Sequence, residues 1–252
     1  MDAREQSMLA KVPHVTFGFW LIKIAATTLG ETGGDAVTMS MNLGYLVGTA
    51  IFAAIFIAFV VAQIAAKKFH PFLYWSTIIA TTTVGTTLAD YADRSLGIGY
   101  TGGTTILLSL LLLSLFTWHR TLGTISVESV GDPKSELFYW VTIMFSQTLG
   151  TALGDWVADT AGLGYGGGAL IFSGLLAIVA ALFFWTRVSR TTLFWAAFIL
   201  TRPLGAVVGD FLDKPVASGG LDLSRYTASL ALLAFMVACI LVFPQKASAR
   251  AH

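Results

Sequence analysis

The chain has 252 residues, 56% of them apolar and 12% charged, and a formal net charge of +1. Soluble domains carry roughly 25% charged residues, so the composition excludes an ordinary soluble domain, and a near-neutral charge spread over short loops gives no basis for nucleic-acid binding. Cys239 is the only cysteine, which excludes an intrachain disulfide and a cysteine-rich metal site.

In chain order, Met1 to Lys11 carries Asp2, Arg4, Glu5 and Lys11 ahead of a long apolar stretch, with no small-residue cleavage site behind a short apolar core. The first helix is therefore predicted to remain as a span. Eight apolar stretches run approximately over 15–34, 44–66, 72–91, 100–118, 137–157, 165–186, 192–212 and 226–243. Each is near the ~20 residues that cross a hydrocarbon core as helix. The predicted fold is an all-α polytopic membrane protein, one membrane domain over 1–252 with eight transmembrane helices. These form four parallel-related helical hairpins, pseudo-symmetric about the membrane normal, over about 15–67, 70–118, 135–187 and 190–243, with a cytoplasmic linker over 119–136. The side holding both termini has Arg4, Lys11, Lys67, Lys68, Arg120, Lys134, Arg187, Arg190, Lys246 and Arg250, and the other has Arg94, Lys214 and Arg225. Ten against three predicts cytoplasmic termini. His14, His70, His119 and His252 lie at helix ends or in the tail, where an interfacial role is simpler than a metal centre.

The repeat is read from its tryptophans. Trp20, Trp75, Trp140 and Trp195 are each followed fifteen residues later by Asp35, Asp90, Asp155 and Asp210, with no gap between. Position +7 is Thr27, Thr82, Gln147 and Arg202; +10 is Gly30, Gly85, Gly150 and Gly205, where close helix approach is the default role. Position +11 is Glu31, Thr86, Thr151 and Ala206, and +14 is Gly34, Ala89, Gly154 and Gly209. Tyr45, Tyr100, Tyr165 and, after a longer loop, Tyr226 open the following helices, each ahead of a small-residue patch at Gly48-Thr49, Gly103-Thr104, Gly168-Ala169 and Ser229. Two spans per copy point all four tryptophan helices the same way, as in parallel-repeat transporters. A ring with fourfold or twofold-of-twofold symmetry would bring equivalent faces together.

At about 100° per residue, positions 0, +7, +11 and +15 form one longitudinal stripe, with +7 near the midplane and the aspartate about 22 Å beyond the tryptophan. Ionisable groups at membrane depth commonly mark ion or solute paths. The candidate path residues are Lys23, Thr27, Glu31, Asp35, Thr82, Thr86, Asp90, Gln147, Thr151, Asp155, Arg202 and Asp210. The aspartates also admit a structural role, as caps or anchors of the turn with the downstream tyrosines. Lys23 and Arg202 break the symmetry and are expected to pair with Glu31 or the aspartates, and Arg202-Pro203 predicts a kink. Five acids, Glu31, Asp35, Asp90, Asp155 and Asp210, stand against Lys23 and Arg202, an acidic balance that suits protons or a hard divalent ion such as Mg²⁺ or Mn²⁺. Asp93, Asp159 and Asp213 follow in the outer loops, either as ordinary solvated groups or as a field drawing cations to the mouth. The tryptophans are expected to anchor or pack, or to form a constriction, and Trp118 and Trp185 to be interfacial anchors.

Taken together, the four tryptophans and the G-x4-D ending of each odd helix resemble a family of bacterial membrane proteins built from four tandem repeats of unknown function, each with two transmembrane helices and a signature tryptophan. The resemblance covers about residues 15–243 and implies the bacterial inner membrane; it brings no substrate with it. The fourth copy, with Arg202, Ala206 and an enlarged loop, departs most from the pattern.

The leading functional expectation is a transporter or channel-like permease for a small cation, divalent or proton-coupled, with lipid as its surroundings and no resident cofactor. The alternatives are a carrier of a small organic or anionic solute paired with Arg202 and Lys23, and a non-transport structural or sensory membrane protein. An enzyme is not expected, because there is no Ser/His/Asp arrangement, HExxH, P-loop or CxxC. One chain completing the pore and a homo-oligomer sharing it are both open from sequence.

Overall fold

The computed structural model describes residues 9–249. Among them are eight long helices: α1 (Phe17–Asp35), α2 (Gly44–Ala65), α3 (Pro71–Asp90), α4 (Gly99–Leu122), α5 (Pro133–Asp155), α6 (Gly164–Trp185), α7 (Arg190–Asp213) and α8 (Arg225–Val242). Local chemistry sets their starts. Thr16 caps α1 by accepting from the Phe19 amide, Pro71 opens α3, Asp132 and Ser135 form a reciprocal capping box on α5, and Ser189 caps α7. Helix α7 runs through Pro203 without a break in its assignment.

Three odd helices leave their aspartate through the same device, a five-residue π turn over Ala36–Ser40, Tyr91–Ser95 and Trp156–Thr160. Two residues with positive φ then turn the chain into the next helix. The first is Asn42, Gly97 or Gly162 (φ 57, 72 and 70°), and the second is Gly44, Gly99 or Gly164 (φ 74, 71 and 64°). Left-handed backbone is inexpensive only for glycine and, less so, asparagine. The fourth copy replaces this with a longer loop containing the 3-10 turn Val216–Ser218.

The odd helices α1, α3, α5 and α7 form a closed inner ring, each packed on the next and α7 on α1. The even helices do not fold back as hairpins on their own partners, as the sequence suggested. Instead α2 packs on α3, α4 on α5, α6 on α7, and α8 on α1. The small-residue patches supply the reason. Gly48 faces Thr87, Gly168 faces Val207, and Ser229 Oγ lies 2.8 Å from Thr32 Oγ1, so each docks on position +12 of the following copy. The outer helices turn Leu46, Ile57, Leu112, Phe116, Leu170 and Leu230 outward and exposed. Five of the eight helices, α2, α4, α6, α7 and α8, are long and apolar enough to cross a membrane.

A short element absent from the all-α expectation closes the circle. Strands β1 (Leu9–Pro13) and β2 (Ala247–Ala249) pair antiparallel at the tryptophan end of the ring. The linker is shorter than expected, since α4 continues to Leu122 and α5 begins at Pro133, and it is packed against the strands through the Lys11 amide and the Val130 carbonyl. Lys11 also reaches Glu136 at 2.6 Å and the Ile64 carbonyl at 2.9 Å. Arg4, Arg250 and His252, used or noted in the sequence reading, lie outside the described residues.

Candidate functional site

The tryptophan end of the ring is shut by aromatic rings. Phe19, Tyr74, Tyr139 and Phe194 precede the four tryptophans, and each meets the tryptophan of the next copy. The centroid distances are 5.4 Å for Phe19–Trp75, 5.8 Å for Tyr74–Trp140, 6.3 Å for Tyr139–Trp195 and 5.8 Å for Phe194–Trp20. Such pairs contribute about 0.5–1.5 kcal/mol each beyond their area. Trp75, Trp140 and Trp195 are buried and Trp20 half-buried, so the tryptophans pack rather than anchor. Trp118, expected at an interface, is also buried, 5.7 Å from Trp195, whereas Trp185 is 83% exposed. The Tyr74 and Tyr139 hydroxyls lie 2.6 Å apart inside this layer.

Farther along the ring, the +10 glycines explain themselves. A Cβ on Gly30 would strike Thr82, on Gly85 the Gln147 backbone at 3.0 Å, on Gly150 the Arg202 side chain, and on Gly205 Thr27. Each +10 glycine therefore receives the +7 residue of the next copy. One turn on, Gly34 receives Thr86, Gly154 receives Ala206 and Gly209 receives Glu31, pairing +14 with +11 in the same order. The repeated register requires parallel inner helices in van der Waals contact, the close approach small residues permit.

The stripes converge at Arg202. Its Nη2 has three acceptors within hydrogen-bond reach for its two N–H groups: Glu31 Oε2 at 2.9 Å, Thr86 Oγ1 at 2.6 Å, and Thr151 Oγ1. One nitrogen on α7 thus touches the +11 residue of each of the other three inner helices, where the fourth copy has only Ala206. Arg202 is 0% exposed. Taking an arginine and a glutamate out of water is costly unless geometry is good, and removing one partner leaves the other stranded. Thr86 adds a donor to Glu31 Oε2 at 3.3 Å, and Thr27 Oγ1 donates to the Thr201 carbonyl at 3.1 Å, tying α1 to α7.

Between this layer and the aromatic one lie polar atoms without hydrogen-bond partners among the described residues: Lys23 Nζ, Arg202 Nε and Nη1, Thr82 Oγ1, and both amide atoms of Gln147. Lys23 does not pair with Glu31 or an aspartate, as expected from sequence. Its ammonium sits 4.2 Å over the Phe198 ring. At the same +3 position the other copies place Ile78, Ile143 and Phe198, all fully buried.

The aspartate end is tied by cations. Arg94 reaches Asp90 at 3.0 Å and Asp155 at 3.4 Å, and Lys214 reaches Asp35 at 2.5 Å and Asp210 at 3.1 Å. Arg94 also donates to the Tyr45 and Tyr100 hydroxyls at 3.1 and 3.0 Å, and Arg225 pairs with Asp213 at 3.0 Å. Burial works against the Lys214 charge, but Asp210 and Asp35 outweigh it and raise it above the ordinary lysine value. Arg94 is raised in the same way by Asp90 and Asp155. Asp93 and Asp213 are buried rather than solvated, and Asp159 is exposed. Burial pushes Asp93 up to about 6, with Arg94 pulling the other way.

All twelve predicted path residues therefore lie inside the ring, but in separate layers. Each of the five acids has a cation within 3.4 Å, but Arg94 and Lys214 are each shared by two aspartates, so acids still outnumber the cations that hold them. The five expected metal ligands are not gathered in one place. Asp35, Asp210 and Asp213 bring oxygens within 4.8 Å of one another, the trio among the described residues best placed to share an ion, and Lys214 and Arg225 already hold them. Two further sets of residues belong to the site beyond those predicted: the +19 cations, Arg94 and Lys214, and the aromatic residue before each tryptophan. Both were visible in the alignment of the copies.

A family model of this repeat matches residues 18–69, 73–124, 138–189 and 193–244. The chain belongs to the family Repeat of Unknown Function (DUF347). The four matches coincide with the four copies that build the ring, each taking in an inner helix and its outer successor. No curated protein and no solved structure matches the chain.

Proposed function

We propose that the chain is a multi-pass membrane carrier that moves a small ion or polar solute along the axis of its inner ring. The observation that carries this is Arg202, a fully buried guanidinium whose Nη2 meets one residue from each of the other three inner helices. Four polar stripes meet on one axis, and an arginine closes it. The apolar outer helices support eight spans in a bilayer, since outward faces rich in leucine, isoleucine and phenylalanine suit lipid, and every long segment satisfies its backbone as helix. Lys67, Lys68, Arg120, Lys134, Arg187, Arg190 and Lys246 favour the bacterial inner membrane with the tryptophan end and both termini in the cytoplasm.

In this conformation both ends are shut, the cytoplasmic one by stacked aromatic rings and the outer one by Arg94 and Lys214 between the aspartates. Passage requires the Arg202–Glu31 link to part while one end opens, which is how a carrier and not an open pore works. These ion pairs lower the cost of burying so many ionised groups and leave the solute to compete with an internal ion pair. Purified protein in liposomes should show saturable flux of at least one small solute from a panel of protons, K⁺, Mg²⁺, Mn²⁺, chloride, nitrate, formate and acetate. Glu31→Gln should change the rate at least tenfold. Rates equal to those of empty liposomes across the panel would overturn the proposal.

A further inference from the structure

Lys23 and Arg202 are both fully buried, and Lys23 has no carboxylate within ion-pair distance among the described residues. Glu31 balances one of the two through its 2.9 Å contact with Arg202, and the four aspartates are held by Arg94 and Lys214 at the far end. Lys23 is left without a counter-charge of its own. Here stand donors with nothing to donate to: Lys23 Nζ, Arg202 Nε and Nη1, and Gln147 Nε2, none with a hydrogen-bond partner among the described residues. They belong to two layers one helical turn apart, bounded on one side by Phe198, Ile78 and Ile143 and on the other by the Arg202–Glu31 link. A buried ammonium stacked only on a ring face keeps most of its desolvation cost. Water would solvate the donors without cancelling the charge.

From this arrangement we infer that the Lys23–Gln147–Arg202 layer is a binding site for a small monovalent anion, an inorganic oxyanion, halide or short carboxylate. The assignment names the solute class of the carrier proposed above and rests on that reading. A single negative charge would give an ammonium at Lys23 the partner it lacks, and an ion of nitrate or formate size presents several acceptor oxygens to the unpartnered N–H groups of Lys23, Gln147 and Arg202. The same acceptors would compete with Glu31 for Arg202, so anion entry would loosen the contact that closes the axis. Gln147 is the discriminating neutral group: its amide N–H serves an acceptor oxygen, and its own oxygen disfavours a second negative charge.

The test is thermal unfolding of the full chain in detergent, followed by tryptophan fluorescence. Potassium nitrate, chloride, formate and acetate are titrated against potassium gluconate, an anion too large to enter, at constant ionic strength. At least one small anion should raise the midpoint saturably by about 3 °C at concentrations well above its dissociation constant. Lys23→Met should abolish that rise and be more stable than the wild type in gluconate, because a buried nitrogen without a partner is gone. Gln147→Leu should keep the rise with a half-saturating concentration about tenfold higher, the loss of one charge-assisted hydrogen bond. A flat wild-type midpoint for all four anions, or an undiminished response in Lys23→Met, would overturn the site. Flux in the same liposomes separates the two ideas: cation flux with a flat midpoint overturns the anion site and leaves the carrier. Anion-dependent stabilisation without flux upholds the site and overturns the carrier.

Discussion

The sharpest test of the ring is Gly205→Ala. An alanine Cβ there would overlap Thr27 Oγ1 and lie 2.5 Å from Thr27 Cβ and 2.8 Å from its backbone carbonyl carbon. The side chain cannot swing aside freely, since the Oγ1 hydroxyl shares its one proton between carbonyls on both helices, Ile24 at 2.8 Å and Thr201 at 3.1 Å. The backbone carbon cannot move unless α1 and α7 separate by several tenths of an ångström. Overpacking of this kind costs about 1–3 kcal/mol, the strained Thr27–Thr201 bond adds about 1, and alanine's helix propensity returns about 1. The net expectation is a loss of about 1–3 kcal/mol. Gly174→Ala on α6 is the control: it is exposed, nothing lies within 4 Å of the new Cβ, and propensity alone should stabilise it by about 0.5–1 kcal/mol. Equilibrium unfolding in mixed micelles of increasing SDS fraction should therefore separate the two variants by about 2–4 kcal/mol. If Gly205→Ala matches Gly174→Ala, α1 and α7 do not close the ring at this position.

Three further outcomes follow from the same geometry. Arg202→Met should destabilise by about 3–5 kcal/mol by stranding Glu31, and adding Glu31→Gln should restore at least half of that loss in a double-mutant cycle. Tyr74→Phe should cost about 1–3 kcal/mol by leaving the Tyr139 hydroxyl without its 2.6 Å partner, while the double Tyr74→Phe, Tyr139→Phe variant should be near wild type in unfolding experiments. Asp93, raised to about 6 by burial, favours its neutral form in the folded chain, so its stabilising contribution is full below the ordinary carboxylate value near 3.8 and disappears as pH rises through about 6. Asp93→Asn should consequently exceed the wild type by about 1–2 kcal/mol above pH 7 and match it near pH 4, allowing for screening at the end of the bundle; unfolding midpoints of both proteins across that range are the check.

Much of this architecture was legible because the sequence repeats. Eight apolar stretches fall on eight helices to within a few residues, apart from the longer C-terminal end of α4. The +10 glycines were correctly expected at close helix contacts, and the stripe residues do enter the ring. Partner choice was not legible: a hairpin pattern specifies that α2 follows α1, whereas Gly48 against Thr87 and Ser229 against Thr32 are contacts between copies that only the closed circle creates. The strand pair was hidden for the same reason, its halves lying at opposite ends of the chain. The outer cations were hidden for another reason. Arg94 and Lys214 were counted as loop residues on the poorly charged side, although alignment places both at +19, one helical turn beyond an aspartate, where an i,i+4 pair is expected.

That +19 position also shows where fourfold packing gives way to twofold chemistry. Copies two and four carry Arg94 and Lys214 there, and copies one and three carry Met39 and Asp159. Each cation joins its own aspartate to that of the next copy, so Arg94 ties α3 to α5 and Lys214 ties α7 to α1. Arg225 reinforces the second pair by spanning Asp213 and Asp35. The seams between α1 and α3 and between α5 and α7 hold no such bridge among the described residues at the aspartate end. For a carrier, opening along these two seams would break no ion pair of the outer layer, whereas opening along the other two would strand buried aspartates. Arg202 lies on the axis where both halves meet, bonded to Glu31 in one and Thr86 and Thr151 in the other. Four near-identical backbones thus supply a symmetric barrel, and a few unlike side chains decide which way it divides.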